Sequence, residues 1–96
     1  MKETQVQQAA TTVTFTGPTG LHARPAAVLV QTAGRYKAQV CLYLEGSERN
    51  ANARSIIQLL KLGVRQGDKV KIVVEGDDAT EALAAILNML ANEAIS

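Results

Sequence analysis

Polar and apolar residues alternate over Thr12-Val13-Thr14-Phe15-Thr16. Its β-branched side chains mark a short strand with Val13 and Phe15 turned inward. Gly17-Pro18-Thr19-Gly20 interrupts the alternation, with Pro second and Gly fourth as a tight turn prefers. A helix is then expected from about Ala23 to Ala33, with Pro25 tolerated in its first turn and Gly34 as its stop. Alternation returns from Lys37 to Leu44, placing Ala38, Val40, Leu42 and Leu44 on one face and Gln39, Cys41 and Tyr43 on the other. Glu45-Gly46-Ser47 turns the chain into a weaker strand, about Glu48–Asn52. A short helix from Ser55 to Leu62 follows, closed by Gly63. Asp68 to Glu75 is a third clear strand, with Val70, Ile72 and Val74 on one side. The last helix opens after Gly76-Asp77-Asp78, where Asp78 and Glu81 have the spacing of a capping box. Ala79, Leu83, Ile86, Leu87 and Leu90 recur along it as one apolar stripe.

The order β-α-β-β-α-β-α, with one apolar face per strand, predicts an α/β open-faced sandwich. Its four-stranded, mainly antiparallel sheet is covered on one face by three helices. Cys41 and Tyr43 then fall on the uncovered side, where Cys41 reads as an idle thiol.

At 96 residues the chain accommodates one domain. Residues 1–10, polar and without periodicity, read as a flexible tail or linker, and residues 11–96 as the folded unit. Ten basic and nine acidic side chains give a formal charge of +1, so no basic field favours nucleic acid. A single cysteine makes no internal disulfide and suits a reducing cytosol. No apolar run approaches the roughly 20 residues a bilayer demands, so direct membrane insertion is not expected. No hydrophobic segment follows the first residues, so no secretory signal is expected either. One histidine and one cysteine cannot build the usual zinc site within one chain, so no metal is expected.

That histidine, His22, follows the turn and immediately precedes the first helix. The leading N–H groups of a helix have no partners within it, and the aligned peptide dipoles make that end positive, so an anion is welcome there. Arg24 adds a fixed charge able to contact phosphate oxygens. A neutral imidazole, amide donors and an arginine are what a transient phosphoryl acceptor requires. Spacing alone leaves this open against a surface histidine that only caps the helix.

Gly20-Leu21-His22-Ala23-Arg24-Pro25-Ala26 resembles the active-site signature of HPr, the histidine-containing phosphocarrier of the phosphoenolpyruvate-dependent sugar phosphotransferase system. The likeness extends through Arg54-Ser55-Ile56-Ile57 and Leu62-Gly63, over about residues 11–92. It implies that His22 is phosphorylated on Nδ1 by enzyme I and passes the group to an enzyme IIA. It implies that Arg24 stabilises the phosphate and that Pro25 rigidifies the helix start. Thr19 stands where many members carry Asn or Ser; it and Ala23 are the further candidates for phosphate contact. Such a carrier is not an enzyme, needs no bound cofactor, is cytoplasmic and has little need of a dimer.

The second helix is too apolar for a single buried face. Five of the eight residues from Ser55 to Leu62 are apolar, sweeping roughly 220° at about 100° per residue. Leu59 and Leu62 can face the sheet together while Ile56, Ile57 and Leu60 point largely outward. The alternatives are a helix wedged into the core on both sides and an exposed docking patch. The resemblance implies the patch, a surface for enzyme I and the IIA proteins that also takes in Ala27, with Arg24 and Arg54 as a basic rim.

Ser55 with Gln58 fits a capping box. In Gram-positive HPr the matching serine is also phosphorylated by HPr kinase/phosphorylase, whereas enteric members carry it without that regulation; both readings stand for Ser55. Other readings of the whole chain are an HPr-like domain of a fused multiphosphoryl transfer protein, a carrier of a nitrogen-related branch, and a regulatory binding module switched by phosphorylation.

Overall fold

The computed structural model describes residues 7–95. Seven elements follow in order: β1 (Gln8–Thr14), α1 (Ala23–Gly34), β2 (Gln39–Leu44), β3 (Asn50–Asn52), α2 (Ile56–Leu62), β4 (Lys69–Glu75) and α3 (Ala79–Ile95). The strands form one sheet in the order β1-β4-β2-β3, and all three pairings are antiparallel. The three helices pack on one face, as the apolar alternation requires.

Between sheet and helices lies a core whose largest fully buried side chains are Leu29, Leu42, Leu59, Leu62, Ile72, Ile86, Val40, Val70 and Val74. Among the described residues Thr32 is the buried polar exception, and its hydroxyl donates to the Val28 carbonyl one turn back (2.8 Å). The opposite face carries the polar positions of each strand together with half-buried Cys41 and exposed Tyr43. A hydrogen bond with the Cys41 thiol raises the Tyr43 phenol above its ordinary pKa.

Several boundaries differ from the sequence reading. Strand β1 begins at Gln8, inside the segment expected to be a tail, and ends before Phe15. Pairing Gln8 with Glu75 and Thr11 with Ile72 extends a strand whose own residues are only weakly apolar. Phe15 is nevertheless buried and Val13 packs against the core. Residues 1–6 of the expected tail lie outside the described residues. Gly34 is the last residue of α1, and its φ is not positive; the helix closes through Arg35, whose N–H reaches the Thr32 carbonyl (3.2 Å). Strand β3 is only three residues long.

Both expected capping boxes are half-made or diverted. Ser55 caps α2 by accepting from the Gln58 N–H (3.2 Å), but Gln58 Oε1 accepts from Asn52 N–H (2.9 Å), tying the helix to β3. Asp78 spends both carboxylate oxygens on the start of β2, accepting from Lys37 N–H (2.9 Å) and Ala38 N–H (2.8 Å). In α3 the deepest line is Ala79, Ala82, Ile86 and Met89, while Leu83, Leu87 and Leu90 are half-buried beside it.

Candidate functional site

The loop between β1 and α1 is built to hold one backbone shape. Gly20 N–H closes the turn on the Gly17 carbonyl (3.1 Å), with Pro18 presetting its second position. Gly20 has φ +65°, and a Cβ there would stand 2.3 Å from the Val64 carbonyl oxygen and 2.8 Å from Arg65 Cα. Leu21, buried, donates its N–H to that same carbonyl (3.1 Å). The loop is thus seated on the segment that follows α2. That segment is braced in turn: Asp68 accepts from Arg65 N–H (2.9 Å), and Gly67 N–H donates to the Phe15 carbonyl (2.7 Å).

His22 emerges from this seat as the N-cap of α1, exposed, with extended backbone (φ −100°, ψ −166°) and no capping hydrogen bond from its side chain. Its carbonyl accepts from Ala26 N–H (3.0 Å), which starts the helix. Pro25, buried at the third helical position, has no N–H to leave unsatisfied there. Ala23 is exposed and its amide heads the helix, where the peptide dipoles favour an anion. Arg24 is exposed beside it. Thr19, His22 and Arg24 line one groove of about 430 Å³, with apolar walls from Val13, Phe15 and Leu87. The structure therefore brings together His22, Ala23, Arg24, Pro25 and Thr19 around one helix end.

Helix α2 divides as its sequence suggests. Leu59 and Leu62 are buried, whereas Ile56, Ile57 and Leu60 are 38%, 63% and 42% exposed. Its end is sharp because Gly63 takes the left-handed conformation (φ 75°). Ala27 is half-buried on α1.

The two helices run in opposite directions. Val64, just past α2, lies against the start of α1, while Arg54, just before α2, reaches the carbonyls of Tyr36 and Ala38 beyond the end of α1. The guanidinium of Arg54 is spent on those carbonyls, about 18 Å along α1 from His22 at 1.5 Å per residue. Arg24 and Arg54 thus sit at opposite ends and do not form one basic rim. Ser55, half-buried, shares the Arg54 end.

Sequence reasoning overlooked the Val64–Asp68 segment as the seat of the site. Its only signal is Gly20, whose missing Cβ permits the approach.

A sequence model of the PTS HPr component phosphorylation site matches residues 9–92. The chain belongs to the HPr family. HPr of Thermoanaerobacter tengcongensis superposes with a TM-score of 0.83 at 39% identity, over 92% of this chain and 97% of that one. Phosphocarrier protein HPr of Bacillus anthracis gives 0.77 at 35% identity, over 85% and 95%. Crh of Bacillus subtilis, a catabolite repression protein whose crystal structure is a dimer with a swapped domain, gives 0.68 at 39% identity, over 79% and 85%. The open-faced sandwich is the HPr fold, and the chain is an HPr-family phosphocarrier domain, of a family that relays a group and is not itself a catalyst. HPr proteins function with enzyme I and enzyme IIA. Among the described residues no helix is long and apolar enough to cross a membrane.

Proposed function

We propose that His22 accepts a phosphoryl group on Nδ1 from phosphorylated enzyme I and delivers it to a histidine of an enzyme IIA in sugar uptake. In each step an imidazole nitrogen attacks phosphorus as the P–N bond to the donor histidine breaks, and the donor ring leaves with the electron pair. Nothing is consumed but the phosphoryl bond to the donor.

The observation that carries this reading is the single exposed imidazole at a helix N-terminus, making no capping bond of its own and sharing a groove with Arg24 and Thr19. Carried phosphate would meet the Ala23 amide, the α1 dipole and the Arg24 charge, all in place before the group arrives. Ile56, Ile57 and Leu60 serve as the docking face, with Ala27 alongside. Their small exposed area fits contacts that form and break quickly.

Enzyme I, phosphoenolpyruvate and a IIA acceptor, mixed with the wild-type chain, should place label on the acceptor. His22→Ala should abolish the transfer. Equal labelling of the acceptor through His22→Ala would refute the relay.

A second reading rests on the Crh likeness: the chain acts as a regulator by docking, with phosphorylation switching its affinity. Ser55 is the residue for such control, and a phosphate there would put a near-dianion beside Ile56 and Ile57. Identical partners captured by wild type and His22→Ala would favour this reading over the relay.

A further inference from the structure

Between β1 and α3 the apolar packing is left partly open. Thr80 Oγ1 donates to Gln7 Oε1 (3.3 Å), which sets the start of α3 beside the start of β1. Further along, Leu87 and Leu90 share the groove of about 430 Å³ with Val13 and Phe15, and both leucines are only half-buried. Sites for small organic molecules run to about 300–1,000 Å³ and are lined mostly by apolar groups with a few polar ones to fix orientation. The groove has that size and that lining.

Its two sides differ in character. The apolar wall comes from β1 and α3, and the polar part from the β1–α1 loop and the first turn of α1, where Thr19, His22 and Arg24 stand. Among the described residues that line it there is no acidic side chain, and Arg24 gives the lining one formal positive charge. The start of α1 adds the positive end of its peptide dipoles on the same side. A carboxylate matches that charge, and a guanidinium fork takes it through two parallel hydrogen bonds. The apolar wall has no part in phosphoryl transfer, because Val13, Phe15, Leu87 and Leu90 offer a phosphate no side-chain donor. The groove therefore holds more than the relay uses.

We propose that this groove binds a small amphiphilic carboxylate, with its apolar tail between β1 and α3 and its head at Arg24 and the Ala23 amide. The site is formed in advance, since the Gly20 and Leu21 N–H groups already hold the loop, so little ordering opposes binding. The head occupies the donors that a phosphoryl group on His22 would meet, so bound ligand and carried phosphate exclude each other. That consequence rests on the phosphocarrier reading; the binding does not.

Octanoate, titrated into the full chain and followed by amide and methyl NMR, should bind saturably with a Kd of about 1 mM or tighter. Shifts should fall on Ala23 and Arg24 at the head and on Leu87 and Leu90 at the tail. 1-Octanol has the tail without the charge and acetate the charge without the tail, and each should bind at least about tenfold more weakly. Arg24→Gln should weaken octanoate at least about tenfold and leave 1-octanol unchanged. Ala91→Trp, at an exposed position on the groove wall, should fill the groove and weaken both ligands while melting as wild type does.

With phosphoenolpyruvate and enzyme I present, octanoate should slow labelling of the wild-type chain and leave labelling of Ala91→Trp at that variant's own rate. Equal slowing of both would place the effect on enzyme I and overturn the exclusion. Octanoate bound by a chain that takes no label would count against the phosphocarrier reading and support the groove assignment. Absence of saturation at about 10 mM, shifts confined to residues outside the groove, or equal affinity for octanoate and 1-octanol would overturn the inference.

Discussion

Gly20 lies so close to Val64 that a Cβ on it would stand 2.3 Å from the Val64 carbonyl oxygen, the same oxygen that accepts the Leu21 N–H. This contact fixes where His22 leaves the loop. Gly20→Ala meets both that steric clash and a positive φ that L residues seldom adopt. It should cost at least about 1–3 kcal/mol in denaturant unfolding. It should also slow phosphoryl uptake by His22 in conditions where the chain is fully folded. A variant that unfolds earlier but accepts phosphate at the wild-type rate would show that the seat does not orient the site.

The two sides of α2 should respond oppositely to substitution. Ile57 is 63% exposed and Leu59 is fully buried. Ile57→Asp should change stability by no more than about 0.5 kcal/mol, yet weaken binding to enzyme I in calorimetric titration. Leu59→Ala should cost about 2–5 kcal/mol, with binding intact in whatever fraction remains folded. Unchanged affinity in Ile57→Asp would remove α2 from the docking surface.

Asp78 joins the start of α3 to the start of β2, and its titration follows from that. The Lys37 N–H holds its carboxyl below the ordinary pKa; partial desolvation opposes this, while the Ala38 N–H adds to the depression. A depressed folded-state pKa means that the ionised form contributes stability above the ordinary carboxylate range. That contribution is lost as pH falls through the folded value. Asp78→Asn should therefore unfold at lower denaturant than wild type at neutral pH, with the gap narrowing in strong acid. A gap independent of pH would mean that charge plays no part in the clamp.

The fold was legible because β2 and β4 keep one apolar face and one helix exceeds the apolar content a single face can bury. Val70, Ile72 and Val74, and the split between Leu59 and Ile57, could be placed before any coordinates. What escaped was set by contacts distant in sequence. Ala9 and Thr11 do not signal a strand until β4 lies beside them. The spacing of Asp78 to Glu81 suggests a local cap, whereas its oxygens go to backbone 40 and 41 residues away. Arg54 looked like a rim charge because sequence does not give the direction in which α2 crosses α1. At the site, the helix start at His22 was readable from Gly20 through Pro25, but the Val64 seat was not.

Arg24 and Arg54 offer an internal comparison. Arg24 lines the His22 groove, whereas Arg54 is tied to carbonyls at the far end of α1. Arg24→Ala should lower the rate of phosphoryl uptake with little change in melting. Arg54→Ala should lower melting with little change in that rate. The reverse pattern in stopped-flow transfer and thermal denaturation would reassign both.

The most direct test of the account is intact-mass analysis with site mapping after incubation with phosphoenolpyruvate and enzyme I. One phosphoryl group per chain is predicted, acid-labile, on Nδ1 of His22 and missing from His22→Ala. Unmodified wild-type chain after incubation with several enzymes I, or label on a residue other than His22, would contradict it.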